Sequence, residues 1–117
     1  MSTPLRSILE EYYALVDANE YEKMYTLFSD DITYERPGSE TIYGKDDFRR
    51  FYEKERPLSD GSHSIDQILI TENTAAVKGH FSGRQNGKEV SFGFADFHVF
   101  DGKQITDRYT YTDRDTV

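Results

Sequence analysis

A chain of 117 residues is long enough for one hydrophobic core and too short for two, so we predict a single domain over 1–117. The formal net charge of −8 leaves no basic surplus for binding nucleic acid, and an anionic membrane surface would repel it. The chain contains no Cys, which excludes disulfides, thiolate catalysis and cysteine-ligated zinc.

The hydropathy pattern shows no membrane or export segment. No apolar run approaches the roughly 20 residues that a membrane-spanning helix needs. The first residues, MSTPLRSILEE, carry acidic side chains where a signal peptide would have its apolar stretch. We therefore expect a cytoplasmic protein.

The first half of the chain shows helical spacing. Thr3 and Pro4 are typical of an N-cap and a first helical residue, and apolar side chains then recur every three or four residues. This pattern predicts a first helix over about 4–18. Asn19 can cap a second, shorter helix. The side chains expected on the inner face of that second helix are Tyr21, Met24, Tyr25 and Phe28.

A short strand and a third helix are expected next. The strand covers 32–36 and stops at Pro37 and Gly38. The third helix begins near Lys45 and ends before Pro57. Its apolar side chains at helical spacing are Phe48, Phe51 and Tyr52.

The second half of the chain alternates with the period of two that is typical of strands. Four stretches show this alternation: about 62–72, 74–84, 88–100 and 103–113. Asn86 followed by Gly87, and Asp101 followed by Gly102, are strong hairpin signals. Helices followed by a meander of strands predict an α+β fold, with a mixed or antiparallel sheet packed on three N-terminal helices. Residues 113–117 are expected to fray.

Both faces of the stretch 90–100 are largely apolar, whereas a sheet with one solvated face would alternate. One face carries Val90, Phe92, Phe94, Asp96, His98 and Phe100. The other carries Ser91, Gly93, Ala95, Phe97 and Val99. One face can pack on the helices, and a second copy of the chain is the simplest cover for the other. We therefore predict a homodimer formed through the outer sheet face.

Three segments carry a resemblance to a known family: YYALVDANEYEKMYTLFSDDITYERPG, IYGKDDFRRFY and FADFHVFDGKQITDRYTY. Over about 5–113 the layout resembles the nuclear transport factor 2-like superfamily, and more narrowly its SnoaL-like and ketosteroid isomerase-like branch. The resemblance implies a cone-shaped, curved sheet around the helices, a cystatin-like α+β roll, with a pocket for a small apolar or amphipathic molecule. Because this fold hosts isomerases, cyclases, dehydratases, epoxide hydrolases and binding domains, the resemblance does not specify a reaction.

The resemblance also implies roles for three residues. In ketosteroid isomerases a helical Tyr and a protonated Asp donate hydrogen bonds to the developing enolate, and a second Tyr supports the first. Those positions match Tyr12, Asp96 and Tyr52. The chain departs from the pattern at Arg36, which stands where the isomerase has its general base. A guanidinium does not accept a proton at neutral pH, so the ordinary isomerase reaction is not expected.

Asp96 and His98 share a strand face rich in Phe. Burial there would raise the pKa of an unpaired carboxylate, so Asp96 could be a neutral hydrogen-bond donor or a poised acid. The alternative is a structural pair with Arg36 or with a tyrosine hydroxyl. His98 could shuttle protons near neutral pH, or it could be a satisfied core residue. Tyr12 and Tyr52 lie on apolar helix faces, where most tyrosines are core residues with one hydrogen-bond partner.

Arg36 and Tyr34 point to the same side of the first strand, since side chains two residues apart share a face. In a pocket both could bind a ligand, and Arg36 could hold a carboxylate or an enolate oxygen through two hydrogen bonds. The alternative is an ion pair of Arg36 with Asp96 or Asp107 that fills the pocket.

Asp107 and Tyr109 are expected to share a face of the last strand with Ile105 and Tyr111. By the resemblance to SnoaL-like cyclases, Asp107 could act as an acid or a base. Tyr109 belongs to a Tyr-rich segment over 108–112 that could stack on a ligand. The alternatives are a solvent-facing salt bridge for Asp107 and cross-strand aromatic packing for the tyrosines.

These candidate residues leave three functions open. The chain could be a cofactor-free enzyme that moves a proton next to a carbonyl group, as an isomerase, cyclase or dehydratase, with His98 or Asp107 as the base. It could instead bind a small apolar or amphipathic acid at Arg36 without chemistry, or be a dimeric interaction domain with a filled pocket. No metal or cofactor is expected, because the His residues are widely spaced and the glycines form no phosphate loop.

Overall fold

The computed structural model describes residues 4–113 of the chain. The helices are α1 (Pro4–Asp17), α2 (Tyr21–Tyr25) and α3 (Lys45–Arg50), and a π-helical segment over Phe51–Glu55 continues α3. The strands are β1 (Phe28–Glu35), β2 (Ile42–Tyr43), β3 (Leu58–Thr71), β4 (Thr74–Gln85), β5 (Lys88–Asp101) and β6 (Gln104–Thr112). None of the described helices combines the length and the apolar character needed to cross a membrane. The expected cap at Thr3 and residues 114–117 of the expected frayed tail lie outside the described residues.

The six strands form one curved, mixed sheet in the order β2-β1-β6-β5-β4-β3. β1 runs parallel to β6, and the other neighbouring strands are antiparallel. The core lies between the helices and the concave face of the sheet, and it consists mainly of aromatic and aliphatic side chains. The predicted α+β fold, with a mixed sheet packed on N-terminal helices, is confirmed.

α1 forms where the helical spacing predicted it. Leu9, Tyr12, Tyr13 and Val16 recur at intervals of three and four residues, so they share one face of the helix. All four are buried against the sheet. Because Tyr12 and Tyr13 are neighbours on the buried side, two phenol hydroxyls enter the interior from the same helical turn.

α2 is shorter than the spacing predicted, and β1 is longer. Asn19 has a left-handed φ of 59°, and Glu20 rather than Asn19 directly precedes the helix. Phe28, expected on the helix, is instead the first residue of β1 and pairs with Ile105 of β6. The backbone N–H of Ile105 also donates to the carbonyl oxygen of Leu27 at 2.9 Å. Pairing across the sheet satisfies these backbone groups and overrides the local helical pattern.

A β-bulge at Thr106 interrupts the alternation of β6. Val99 of β5 pairs with Asp107, whereas the next residue, Phe100, pairs with Ile105. Thr106 is therefore an extra residue on β6 without a partner of its own. Every side chain of β6 that follows the bulge is moved to the face opposite the one that simple alternation predicts.

The bulge determines which side chains of β6 face the core. Ile105, before the bulge, is buried, and after the bulge the buried side chains are Arg108 and Thr110. Asp107 and Tyr109 therefore face the outer side of the sheet. The prediction that these two residues share a face with Ile105 is wrong, because it assumed an unbroken period of two.

The predicted homodimer through the outer sheet face stays a prediction. Phe97 and Tyr111 lie on that face with 41% and 58% of their surface exposed, and their ring centroids are 5.9 Å apart. If a second copy covers them, the wild-type chain will sediment as a dimer at micromolar concentration. The double variant Phe97→Thr/Tyr111→Thr will sediment as a monomer, since it loses apolar area from the interface.

The control for this experiment is Tyr43→Thr, which removes an exposed aromatic ring from the short strand β2 at the edge of the sheet. It should leave the sedimentation coefficient unchanged. A monomeric wild-type chain contradicts the prediction.

Candidate functional site

A cavity of about 30 Å³ lies between the helices and the concave face of the sheet, with room for about two water molecules. It is lined by Tyr12, Tyr34, Phe51, Tyr52, Arg56, Leu58, His63, Phe81, Phe92, Phe94, Asp96, Arg108, Thr110 and Thr112. The walls are mainly aromatic, and polar side chains gather at the buried inner end. The half-buried side chains of Arg56, Leu58 and Thr112 mark its mouth.

Asp96 forms a buried ion pair with Arg108 at the inner end of this cavity. Arg108 Nη2 donates to Asp96 Oδ2 at 2.9 Å, and the Tyr13 hydroxyl donates to the same oxygen at 2.5 Å. Thr110 Oγ1 donates to the other oxygen, Oδ1, at 2.6 Å. Thr110 is the direct cross-strand partner of Asp96, and Arg108 lies two residues from it on the same face. Both oxygens of the carboxylate are therefore engaged.

This pairing reverses the predicted pKa shift of Asp96. Burial alone would raise the pKa, but the charge of Arg108 and the hydrogen bonds from Thr110 and Tyr13 outweigh burial and lower it. Asp96 is thus an ionised acceptor, and the predicted neutral donor is not found. Its ion-pair partner is Arg108 and not Arg36, whereas the hydrogen bond from Tyr13 agrees with the alternative of a tyrosine hydroxyl as partner.

Arg108 lies between two tyrosine rings. Its guanidinium carbon is 4.8 Å from the centroid of the Tyr12 ring and 4.6 Å from that of Tyr34. Burial acts to lower the pKa of Arg108, but Asp96 and the surrounding tyrosines raise it overall, so the side chain stays charged. Arg108 Nη1 donates to the hydroxyl of Tyr52 at 3.1 Å, and Nε has no hydrogen-bond partner among residues 4–113.

Tyr12 and Tyr52 form a hydroxyl pair whose protons can be counted. Their oxygens are 2.6 Å apart, and the Tyr52 oxygen also accepts from Arg108. The pair has two O–H protons and one mutual hydrogen bond, so one O–H remains to donate elsewhere. Burial raises the pKa of Tyr12 well above its usual range, which keeps this proton in place. Both residues line the cavity, so the pair has one O–H in the cavity wall that is not used in the hydrogen bond between them.

His98 lies beneath this inner end and does not line the cavity. Its Nε2 is 3.2 Å from the hydroxyl oxygen of Tyr13. Because Tyr13 donates its only proton to Asp96, Nε2–H of His98 is the donor in this contact. Burial, with Arg108 nearby, lowers the pKa of His98 to about 3. His98 is therefore a neutral, buried residue as in the core alternative, but its Nδ1 has no hydrogen-bond partner among residues 4–113, so it is not fully satisfied.

The structure brings together four of the eight candidate residues. Those that line the cavity are Asp96, Tyr12, Tyr52 and Tyr34. Those that do not line it are Arg36, His98, Asp107 and Tyr109. Asp107 and Tyr109 face outward because of the bulge, and the hydroxyl of Thr106 donates to Asp107 at 3.0 Å.

Arg36 lies directly after the last residue of β1 and packs on an aromatic ring. Its guanidinium carbon is 3.6 Å from the centroid of the Phe51 ring, and burial lowers its pKa. The predicted ion pairs with Asp96 or Asp107 are not formed in the described part of the chain. The chain leaves the sheet at this point, so the strand alternation used to aim Arg36 into the pocket no longer applies.

Polar residues that shape the site were missed by the sequence analysis: His63, Arg108 and Thr110 line the cavity, and Tyr13 hydrogen bonds to Asp96. The helical period does place Tyr13 next to the buried face, so a signal for it existed. Arg108 and Thr110 could be assigned inward only with the bulge known. Within residues 4–113 no three His, Asp or Glu side chains converge where a metal ion could bind.

The architecture, in which helices close a curved mixed sheet over a small cavity, defines the nuclear transport factor 2-like class of α+β proteins. Within that class, residues 9–108 match the SnoaL-like domain family, and the chain belongs to this family. The predicted family is thereby confirmed. No curated protein sequence matches the chain.

Solved bacterial structures share the fold. A nuclear transport factor 2-like protein of unknown function from Burkholderia pseudomallei has a TM-score of 0.87 at 13% identity, covering 96% of this chain and 92% of that one. A provisional ketosteroid isomerase from Kribbella flavida has a TM-score of 0.80 at 20% identity, covering 95% of this chain and 78% of that one. An LEH-like epoxide hydrolase from M. tuberculosis has a TM-score of 0.81 at 16% identity, covering 94% of this chain and 82% of that one. At these identities the likeness establishes the fold alone.

The Asp96–Arg108 pair predicts a large stability effect. Asp96→Asn keeps the shape of the side chain but leaves the buried charge of Arg108 uncompensated, so the free energy of unfolding should fall by about 3–5 kcal/mol. Urea denaturation measures this change. The control is Asp66→Asn, since Asp66 forms only exposed contacts with Lys78 and His80 and should cost less than about 1 kcal/mol. Equal losses in the two variants would show that the buried pair contributes nothing special.

His98 predicts a pH dependence of stability. Between pH 6.5, its ordinary pKa, and about pH 3, the unfolded chain protonates this residue while the folded chain keeps it neutral. The unfolded state then binds more protons, so stability rises with pH across this window and falls on acidification. The loss from about pH 7 to about pH 5 should be about 2 kcal/mol. The groups that face the ring are Tyr12, Tyr13, Asp96 and Arg108.

The matched variants for this pH profile are His98→Gln and His80→Gln, compared by urea denaturation at both pH values. His98→Gln cannot titrate and should flatten the profile. His80 is exposed, so His80→Gln should leave the profile as it is in the wild type. A profile that His98→Gln leaves unchanged would mean that His98 is not the group responsible.

Proposed function

We propose that this chain binds a small, largely apolar carbonyl compound and catalyses a cofactor-free proton transfer next to the carbonyl group. The observation that carries the proposal is the remaining O–H of the Tyr12–Tyr52 pair, at the inner end of an aromatic cavity. The carbonyl oxygen of the ligand would accept this hydrogen bond, and its apolar body would contact the Phe side chains of the walls.

The chemistry of the donor supports the proposal. The hydrogen bond from the charged Arg108 to the Tyr52 oxygen polarises the hydroxyl pair and strengthens the donor. A fixed donor shielded from bulk water stabilises the negative charge that develops on an enolate oxygen, typically by about 3 kcal/mol. The role of Asp96 differs from the expected one, because Asp96 holds Arg108 in place and does not donate a hydrogen bond to the ligand.

The size of the cavity limits the ligand. A volume of about 30 Å³ holds little more than a carbonyl group and its neighbouring atoms. A larger molecule would extend toward the mouth at Arg56, Leu58 and Thr112, whose side chains are half-buried. The names of two similar proteins, a provisional ketosteroid isomerase from Kribbella flavida and an LEH-like epoxide hydrolase from M. tuberculosis, support a chemical use for a pocket in this fold.

A second candidate is a binding domain for a small apolar or amphipathic acid. It is favoured by the engagement of Asp96, which leaves the inner end of the cavity without a base of its own. The cation at the inner end of the cavity is Arg108, with its Nε–H as donor, whereas the sequence had indicated Arg36. The two candidates differ in outcome: the enzyme changes the mass or structure of its ligand, and the binding domain returns it unaltered.

The proton count of the hydroxyl pair predicts how the two tyrosines combine. Tyr12→Phe and Tyr52→Phe each leave one O–H for the ligand, so each should weaken binding of 4-nitrophenol only a few-fold. The double variant has no O–H left and should weaken binding about tenfold to a hundredfold. 4-Nitrophenol is a planar mimic of an enol, and its absorbance reports binding and ionisation.

The control is Tyr25→Phe, because the hydroxyl of Tyr25 donates to Glu53 away from the cavity. It should bind the probe like the wild type. Circular dichroism verifies that each variant is folded. Losses that simply add between the two single variants would contradict the shared-proton arrangement, and a wild type that does not bind the probe would contradict the proposed function.

A further inference from the structure

A second polar pair, outside the Asp96 network, lies on the wall of the same cavity. Asp17 is the last residue of α1, and His63 lies on β3 and lines the cavity. His63 Nδ1 is 2.5 Å from Asp17 Oδ1, and the backbone N–H of His63 donates to Oδ2 at 2.8 Å. One carboxylate therefore holds both the ring and the backbone of His63.

The helix itself does not explain why an acidic residue stands at this place. The C-terminus of a helix carries partial negative charge, so a carboxylate there is unfavourable, and α1 has no basic residue in its last turn. The contact with His63 is the favourable interaction that Asp17 makes. Its geometry is that of a group that orients an imidazole.

The contact with Asp17 determines where His63 carries its proton. An ionised carboxylate only accepts hydrogen bonds, so Nδ1 of His63 must be the protonated nitrogen. In the neutral ring the lone pair is then on Nε2. No described residue forms a hydrogen bond with Nε2. The ring is held by Tyr13, Phe81 and Phe94, whose ring centroids lie 5.3, 5.0 and 5.5 Å away.

The other titratable groups near the inner end are not available as bases. Asp96 has both oxygens engaged, and His98 is neutral, buried and outside the lining. His63 is the lining residue of the described chain with an unengaged basic nitrogen and a fixed orientation. Its side chain is only 9% exposed, so a proton that it takes from a ligand is shielded from bulk water.

We propose that His63 is the general base of this cavity and that Asp17 is its positioning residue; this inference rests on the proposed function. Nε2 takes a proton from the carbon next to the carbonyl group of an enolisable ketone or aldehyde. The C–H electron pair forms the C=C bond of an enolate, and the carbonyl π pair moves to the oxygen. That oxygen accepts the hydrogen bond from the Tyr12–Tyr52 pair. Where the enolate is conjugated with a further C=C bond, His63 returns the proton to the far carbon of that bond; the electron pair of that C=C bond forms the new C–H bond, the double bond shifts and the carbonyl group is restored. This completes an isomerisation in which no oxidant, reductant or co-reactant is consumed.

The test follows the proton of a bound probe in protein labelled with ¹⁵N in its His rings. At neutral pH the ¹⁵N shifts should identify His63 as the Nδ1–H tautomer before any addition. On addition of 4-nitrophenol, the bound probe should absorb as the phenolate while His63 becomes imidazolium. In the variant His63→Gln the bound probe should stay neutral.

The outcomes separate this inference from the proposed function. A probe that binds as the phenolate while the His63 shifts stay unchanged overturns the inference and leaves the proposed function standing. A neutral His63 with its proton on Nε2 also overturns the inference alone. A probe that does not bind overturns the proposed function, and the inference falls with it.

The role of Asp17 is tested by a pair of matched variants. Asp17→Asn removes the charge that fixes the tautomer, so the His63 shifts should move toward a mixture of tautomers and the bound probe should ionise at least tenfold less. Asp66→Asn removes the carboxylate next to the exposed His80, 3.1 Å from its Nδ1, and should change neither readout. Unchanged His63 shifts in Asp17→Asn would show that Asp17 is only a structural contact.

Discussion

The buried ion pair between Asp96 and Arg108 determines what the other polar groups of the interior can do. Two charges are tolerated without water only when each is paired and hydrogen bonded. Asp96 meets this condition by accepting from Arg108, Tyr13 and Thr110, so its carboxylate is not available to a ligand. Arg108 in turn has a donor left for Tyr52, and this contact leaves the tyrosine pair with a proton to give. The tyrosine pair is therefore one donor at the cavity, beside the Nε–H of Arg108, which has no partner among residues 4–113.

Much of the fold could be predicted because its signals are local. The apolar spacing of α1 and the turn at Asn86 and Gly87 depend only on neighbouring residues, and both were assigned correctly. The start of β1 could not be predicted in this way, because Phe28 joins the strand through pairing with β6, far along the chain. The same holds for the bulge at Thr106, which exists only as a mismatch between two paired strands.

The residues of the site were predictable only in part, and the bulge at Thr106 explains much of the difference between the predicted and the observed residues. Family resemblance placed Tyr12, Tyr52 and Asp96 correctly at the cavity, since these positions need no knowledge of the register. Alternation carried through Thr106 grouped Asp107 and Tyr109 with Ile105, whereas the sheet buries Arg108 and Thr110 on the face of Ile105. Without Arg108 inside, burial alone indicated a raised pKa for Asp96, so the wrong sign of the shift follows from one extra residue.

Two carboxylates near the cavity have opposite consequences because their partners differ. Asp96 faces a guanidinium that stays charged at any accessible pH, so their pair is permanently ionic and has no net charge to offer a ligand. Asp17 faces an imidazole, whose second ring nitrogen can accept a proton. The His63 ring beside Asp17 can therefore accept a proton that leaves a ligand carbon. Arg108 and the tyrosine pair beside Asp96 can only donate hydrogen bonds. Asp96 holds Arg108 in place, and Asp17 holds the ring of His63. Negative charge would therefore form on the ligand oxygen and positive charge on the His63 ring, within one small cavity whose polar groups are already in position.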